Sequence, residues 1–210
     1  MKSLKLAAVT FFHPLVAFRY MKSHRDRKYN YWPILVFLVL MIFTKIFSIF
    51  VTHYPLATVD SKNANLFIEC AVMIVPIVSW VIASYAMTTI LGGEVQFREC
   101  LTACSYSLLP YIIINIPLTV ATRIMDAGQV AAYNVFNNFA LLFVLLLLFI
   151  NLKEMNNYSI PKTFGIIILS LFTMILFWAA VALVFALSMR FVSFVSEIFT
   201  GSFWMLYQVK

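Results

Sequence analysis

The sequence predicts an all-α protein that crosses a membrane five times. Of its 210 residues, 63% are hydrophobic and only 11% are charged, which leaves too little polar surface to cover a soluble fold. A helix needs about 20 apolar residues to cross a bilayer, whereas a barrel strand alternates polar and apolar residues over about 10. Unbroken apolar segments that meet the helical requirement lie at residues 31–51, 66–91, 101–122, 135–152 and 163–189.

The residues outside the spans lie mainly at the two ends of the chain. We divide the chain into a basic amphipathic segment at residues 1–30, a five-helix membrane domain at 31–189 and an amphipathic outer segment at 190–210. The connections between the spans are too short to hold a soluble domain. Both end segments are predicted to form helices that lie on the membrane surface.

Helix start and stop signals support both surface helices. Pro14 suits the first turn of a helix expected at residues 10–27, because its missing N–H costs nothing there. An irregular tail held by its charges is the alternative. At the other end, an apolar stripe at residues 191–199 indicates a second helix, which Gly201 is expected to end.

Much of the positive charge precedes the first span. The formal net charge is +7. Basic residues beside a span favour the cytoplasmic side, so we expect the amino terminus in the cytoplasm and the carboxyl terminus outside. This placement favours contact with anionic lipid headgroups rather than with nucleic acid. The residues expected to contact headgroups are Arg19, Lys22, Arg25, Arg27 and Lys28.

Charged and helix-breaking residues inside the predicted spans leave alternatives open. Lys45 lies in the first span, where its stem can carry the ammonium group outward to the interface. Alternatively, Lys45 pairs with Glu69, which also lies near the outer surface. In the third span, Pro110 and Pro117 flank Asn115 and predict a kink, which either serves packing or opens a polar pocket.

The segment after the second span predicts a tight turn between two helices. Gly92 and Gly93 can end the second helix with a left-handed residue, and we expect Gly93 to need a positive φ. Glu94 is expected where the next helix begins, since a carboxylate there is favourable against the helix dipole. Phe97 is expected to anchor the turn in the membrane interface.

The sequence carries no motif for catalysis or for cofactor binding. H-E-x-x-H, G-x-S-x-G and a phosphate-binding glycine loop are all absent. We therefore expect no enzyme activity, no catalytic residue, no cofactor and no metal. The odd count of 3 cysteines indicates no disulfide framework. Cys100 and Cys104 are expected to be small packing residues, with palmitoylation as the alternative.

Several short motifs resemble the Yip family of five-span membrane proteins. The longest resembling stretch covers residues 80–110 and contains Gly93-Glu94-x-x-Phe97. Shorter pieces resemble the opening segment of bacterial members, the loop before the last span and the closing segment. The structural or interaction residues that this resemblance implies are His13, Pro14, Phe18, Gly92, Gly93, Glu94, Phe97, Tyr106, Pro110, Tyr158 and Glu197.

The resemblance also implies a function. The leader of about 30 residues is short, which favours the compact bacterial branch of the family. Bacterial members tend to be encoded beside carbohydrate ABC transporters. We therefore expect a non-catalytic accessory subunit in the cell membrane, packed against the permeases and through them linked to an ATPase. Bacterial members often carry a histidine where this chain has Asn156 and Asn157, which weakens any role assigned to that histidine.

Two alternatives remain open. Eukaryotic members of the family act in traffic between the endoplasmic reticulum and the Golgi and bind Rab-type GTPases. A eukaryotic chain is therefore expected to be a trafficking adaptor in those membranes. The other alternative is an autonomous membrane organiser or channel, which acts on lipid or on a cytosolic partner.

Overall fold

The computed structural model describes residues 3–24, 32–52, 56 and 64–208. Every regular element in these residues is helical, so the predicted all-α fold class is confirmed. Five helical stretches are long and apolar enough to cross a membrane, as predicted. The elements are α1 (Ser3–Phe12), α2 (Pro14–Ser23), α3 (Trp32–Val51), α4 (Leu66–Ile90), α5 (Phe97–Ser107), α6 (Leu109–Ala121), a 3-10 turn (Ala127–Gln129), α7 (Val130–Asn156) and α8 (Ile160–Gln208).

The chain divides into two compact units, residues 1–170 and 171–210. The first unit is a helical bundle in which α7 packs against α2, α5 and α6, and α3 packs against α5 and α6. Its core contains Phe18 from α2, Tyr106 from α5 and Leu147 from α7. Burial of a side chain such as Phe18 contributes roughly 1.5–3 kcal/mol. The amino-terminal segment is therefore a structural part of the bundle.

The amino-terminal segment forms two helices where the sequence predicts one. α2 begins at Pro14, directly after His13, whose backbone is not helical (φ −136°, ψ 67°). Pro14 is the first residue of its helix, as predicted, and it disfavours helical backbone at the residue before it, which separates α1 from α2. The predicted apolar face is partly buried: Phe18 and Met21 lie in the core, whereas Leu15 is exposed.

The third span is interrupted at Leu108, which follows α5 and precedes α6. Pro110 explains the interruption, because it has no N–H and its ring clashes with the carbonyl group four residues earlier. The Leu108 N–H donates instead to the Ser105 carbonyl at 3.3 Å. The side chain of Asn115 is buried and donates to the Tyr111 carbonyl at 3.1 Å. Pro110 therefore interrupts the third span, as predicted, whereas α6 continues through Pro117 and contains Asn115 as a buried residue.

α8 continues where the sequence predicts a break. We expect the fifth span to end at residue 189 and a separate helix to end at Gly201, but one helix runs from Ile160 to Gln208. A lone glycine costs a helix only about 1 kcal/mol relative to alanine, so Gly201 does not end it. Taken by itself, the stretch from 171 to 198 exposes most of its apolar side chains, as expected for a helix in lipid.

Candidate functional site

The turn between α4 and α5 is built on two glycines with different constraints. Gly92 follows the C-cap residue Leu91 and has a left-handed backbone, with φ at +73°. The Gly93 N–H then donates to the Thr88 carbonyl at 2.6 Å, the bond that closes a Schellman motif. The positive φ therefore belongs to Gly92. Our assignment of it to Gly93 is wrong.

Position 93 requires glycine because neighbouring atoms leave no room for a side chain. A Cβ atom at this position would lie 2.6 Å from Oδ1 of Asn156, 2.7 Å from Oη of Tyr158 and 2.8 Å from the Thr88 carbonyl oxygen. At Gly92, by contrast, a Cβ atom would meet nothing within 4 Å. The α4–α5 turn and the α7–α8 turn are thus pressed together at the backbone of Gly93, where a side chain has no room.

The α7–α8 turn caps the end of α4. Asn157 ends α7 in the left-handed conformation (φ 54°), which asparagine tolerates better than most residues. Tyr158 follows, and its hydroxyl donates to the Thr88 carbonyl at 3.4 Å. Lys162 donates from Nζ to the Leu91 carbonyl at 3.3 Å and lies 4.3 Å from the centre of the Tyr158 ring. An ammonium group at this position is favourable, because the carboxyl end of a helix carries partial negative charge.

Tyr158 acts here as a neutral hydrogen-bond donor. Burial raises the pKa of its phenol above the ordinary value, and the nearby carboxylate of Glu94 raises this pKa further. Both causes disfavour the phenolate. The hydroxyl therefore keeps its proton, and with it the bond to the Thr88 carbonyl, to higher pH than an exposed tyrosine would.

Two ion pairs tie α2 to this region, one to the last turn of α7 and one to the α4–α5 turn. Nε of Arg19 lies 2.6 Å from Oε2 of Glu154, whose other oxygen lies 2.9 Å from Nζ of Lys153. The Glu154 side chain is only 7% exposed, so its charge depends on these two cations. Nζ of Lys22 lies 3.0 Å from Oε2 of Glu94, in an ion pair whose angles fall outside hydrogen-bond geometry.

Glu94 does not have the role that the sequence predicts for it. We expect Glu94 where the helix after the turn begins, but α5 begins at Phe97 and its N-cap residue is Gln96. The carboxylate of Glu99 accepts from the Gln96 N–H at 3.0 Å and so takes the position near the helix dipole. Glu94 lies too far before the helix for that role and is an ion-pair partner instead.

We name these contacts the basic-face network. It joins α2, the α4–α5 turn, and the end of α7 with the turn that follows it, which come from three distant parts of the sequence. Its groups are cations, carboxylates and one phenol, with no nucleophile beside a general base, and the described residues contain no group of three metal-ligating side chains. Such a network fixes helices relative to one another. Its members are Arg19, Lys22, Gly93, Glu94, Glu154 and Tyr158.

Other residues singled out in the sequence support the core. Tyr106 is buried, and its ring lies 4.8 Å from that of Phe37. Pro110 is also fully buried. The ring of Phe97 is partly exposed and lies 5.2 Å from that of Tyr85. Packing therefore accounts for Tyr106 and Pro110, whereas the position of Phe97 in the membrane interface stays a prediction.

The remaining predicted residues lie outside the network. His13 is exposed at the start of α2, where its side chain makes no capping hydrogen bond. Glu197 is exposed in the second unit. Contact with lipid headgroups stays a prediction for Arg19 and Lys22, which also form the ion pairs above. The three other basic residues expected to contact headgroups lie outside the described residues, namely Arg25, Arg27 and Lys28.

The two neighbouring cysteines are packing residues. Cys100 and Cys104 are both buried in α5. Sγ of Cys100 lies 3.9 Å from the Ser84 hydroxyl, and Sγ of Cys104 accepts from the Asn151 amide at 3.5 Å. Burial of both thiols agrees with the packing interpretation, because acylation needs a thiol that an enzyme can reach.

Sequence reasoning missed Glu154, the most buried charge of the network. The sequence does contain a signal for Glu154. The chain has only 8 acidic residues against 15 basic ones, so each acidic residue is a candidate ion-pair partner. A carboxylate directly after a predicted span, on the side where basic residues cluster, is a natural partner for one of them. Its pairing with Arg19, 135 positions away, could not be read from either residue alone.

Comparison with known proteins agrees with this architecture. The family model described as the Yip1 domain matches residues 8–181, which include every member of the basic-face network. Glu197 lies beyond the matched residues. No curated protein and no solved structure shows a significant match to the chain. Because the family model covers most of its length, the chain belongs to the Yip1 family of membrane proteins.

Proposed function

We propose that this protein is a non-catalytic accessory subunit that packs against the permeases of a carbohydrate ABC transporter, and through them acts with an ATPase. The observation that carries the proposal is an exposed face of small residues on α8. Ala179, Ala182 and Ala186 are spaced three and four residues apart, so they share one helix face, and all three are exposed. Small residues let the backbones of two membrane helices approach closely.

The basic-face network supports a scaffolding role. It fixes α2 and two turns of the bundle through ion pairs and a backbone contact that excludes side chains. Arg19 and Glu94 nevertheless remain largely exposed, at 68% and 57% of their side chains. With the amino terminus in the cytoplasm, as the charge distribution predicts, this rigid charged face would lie on the side where an ATPase binds. The choice of a transporter as partner comes from the resemblance to bacterial members of the family.

Affinity purification from native membranes tests the proposal. The tagged protein is extracted in mild detergent, and the proteins recovered with it are identified and counted by mass spectrometry. We expect permeases and an ATPase in stoichiometric amounts. Recovery of the chain alone, from membranes that demonstrably contain the permeases, would overturn the proposal and favour an autonomous membrane organiser or channel. Recovery of a small GTPase would favour a trafficking adaptor.

A matched pair of variants tests the face itself. Ala182→Phe places a bulky ring on the small-residue face, whereas Ala180→Phe makes the same change on the opposite side of α8. Both positions are exposed, so both variants are expected to fold. Permease recovery should fall at least about tenfold in Ala182→Phe, the change produced by roughly 1.4 kcal/mol of lost packing. It should stay unchanged in Ala180→Phe. Equal recovery from the two variants would exclude this face as the interface.

A further inference from the structure

A cavity of about 450 Å³ lies within the first unit, between α3, α4, α6 and α7. Its volume falls in the range of about 300–1,000 Å³ that is typical of ligand sites. α4 packs against α3 and α5, whereas α7 packs against α2, α5 and α6, and the cavity occupies the space between α4 and α7. Val72 and Leu141, which line it, are also exposed on the outer surface of the bundle. The cavity is therefore open at a surface that faces lipid.

The wall of the cavity carries an ion pair. Nζ of Lys45 lies 3.1 Å from Oε2 of Glu69, so the second of our two interpretations of Lys45 is confirmed. The side chains are 26% and 22% exposed, and both line the cavity. Asn137 lines the cavity as well, and within the described residues its side-chain amide makes no hydrogen bond. Three polar groups thus meet at one part of the cavity, and the phenol of Tyr111 is a fourth polar group in a lining that is otherwise apolar.

These groups have binding capacity left over. An ammonium group has three N–H donors, a carboxylate has two acceptor oxygens, and an amide both donates and accepts. Among the described residues, the ion pair engages one N–H of Lys45 and one oxygen of Glu69, so the other N–H groups and the second oxygen can serve a ligand. The pair is neutral as a whole. A ligand with a single charge would be repelled by one partner, whereas a zwitterion offers a phosphate to Lys45 and an ammonium to Glu69.

The polar and apolar parts of the cavity lie at different depths. Glu69 is in the first turn of α4, and Lys45 lies six residues, or about 9 Å, before the end of α3. Met73 lies four residues further into α4, about 6 Å deeper, and Val144 lies about 10 Å beyond Asn137 along α7. Lys45, Glu69 and Asn137 are therefore near a membrane surface, and the mainly apolar remainder of the lining extends toward the bilayer centre. Headgroup and acyl chains of a lipid are arranged in the same order.

We infer that this cavity binds the headgroup region of a phospholipid that carries a phosphate and a primary ammonium group, as in the ethanolamine lipids. Lys45 binds the phosphate, Glu69 accepts from the ammonium group, and Asn137 donates to a phosphate or ester oxygen. A phospholipid is larger than the cavity, so its acyl chains leave through the opening between α4 and α7. The inference does not depend on the proposed transporter partner.

Lipid titration of the purified protein tests the inference. The chain is stripped of bound lipid in detergent and titrated with phosphatidylethanolamine, phosphatidylcholine or phosphatidylglycerol, and bound lipid is measured by native mass spectrometry. We expect one ethanolamine lipid per chain. Its affinity should be at least about tenfold higher than for the other two, because choline has no N–H to donate and glycerol carries no cation. Equal affinity for the three lipids would overturn the inference.

Variants in the cavity give the second readout. Lys45→Gln and Glu69→Gln should each weaken binding of the ethanolamine lipid at least about tenfold, since each removes a charge-assisted hydrogen bond. Each of these two changes leaves one charge of the ion pair without its partner, which itself disfavours folding. A second pair of variants therefore keeps both charges. Val144→Phe fills the apolar end of the cavity, whereas Leu145→Phe lies on the outer surface of the same helix, 65% exposed.

The two phenylalanine variants decide the outcome even where the charge variants fail to fold. Val144→Phe should lose lipid binding, and Leu145→Phe should bind as the native chain does. Equal binding by both would exclude the cavity as the lipid site. A molecule other than a phospholipid that co-purifies with the chain and is lost in Val144→Phe would also overturn the inference.

Discussion

Gly93 lies so close to Asn156 that a Cβ atom on the glycine would meet the Asn156 side-chain oxygen at 2.6 Å. The two residues are separated by most of two membrane spans, so their proximity is a tertiary contact. It presses the α4–α5 turn against the α7–α8 turn at one face of the bundle. The neighbouring Gly92 has open space around it and a φ of +73°. Two adjacent glycines are therefore required for different reasons.

Replacing each glycine by alanine should separate the effect of the positive φ at Gly92 from the effect of close packing at Gly93. Gly92→Ala costs only the strain of a left-handed residue, roughly 1–2 kcal/mol. Gly93→Ala forces backbone and side-chain atoms apart, and overpacking of this kind costs about 1–3 kcal/mol or more. We expect the larger fall in unfolding temperature for Gly93→Ala, measured in detergent by circular dichroism.

A second substitution checks the cause of the Gly93 effect. Asn156→Ala removes the nearest clashing atom, so the double variant should be more stable than the sum of the single effects predicts. Strictly additive effects would show that the clash with Asn156 does not limit stability. The outcome in Gly92→Ala/Asn156→Ala serves as the control, because Gly92 has no neighbour within 4 Å and additivity is expected there.

The Arg19–Glu154 pair should respond unequally to loss of either partner. Arg19→Met leaves a nearly buried carboxylate with Lys153 as its remaining cation, whereas Glu154→Gln leaves a guanidinium that is largely in solvent. We therefore expect Arg19→Met to lower the unfolding temperature more than Glu154→Gln does. Lys22→Gln is the control, because its partner Glu94 is mostly exposed. An order in which Lys22→Gln is the most destabilising would contradict the assignment of Glu154 as the buried charge.

The raised pKa of Tyr158 predicts that the stability of the folded protein depends on pH in the alkaline range. Its pKa is raised in the folded protein by burial and by Glu94. The protonated phenol is thus stabilised by folding. This contribution is fully present below the ordinary tyrosine pKa of about 10 and is lost as the pH rises through the raised value. Unfolding free energy measured against pH should fall in this window for the native chain.

Tyr158→Phe isolates this contribution. The variant lacks the bond to the Thr88 carbonyl, so it should be less stable at neutral pH by about 1 kcal/mol. At alkaline pH the difference between the native chain and the variant should shrink. A constant difference across the whole pH range would mean that Tyr158 does not titrate in this way.

The cysteines predict a labelling pattern. Cys100 and Cys104 are buried in α5, whereas Cys70 is partly exposed in α4. A maleimide added to the folded protein should modify Cys70 and spare the other two, and all three should react after unfolding in detergent. Peptide mapping by mass spectrometry identifies the modified residues, with Cys70→Ala as the control. Rapid modification of Cys104 in the folded chain would contradict the packing described above.

The sequence predicted the spans well because the requirement for a span is local. A run of about 20 apolar residues is sufficient to cross a bilayer whatever the neighbouring helices do. Pro14 and Pro110 were equally informative, since a proline restricts its own helix and the residue before it. Gly201 was misleading, because the cost of one glycine is small beside the gain from a long helix.

Local patterns in the sequence were enough to establish the all-helical membrane class, the five spans and the resemblance to the Yip family. The folded bundle was needed to show which charges pair, where Gly93 meets Asn156 and Tyr158, and that a cavity holds Lys45 and Glu69. The difference follows from the range of the interactions. Hydropathy and backbone preferences act within a few residues, whereas ion pairs and close packing join residues that only the folded bundle brings together.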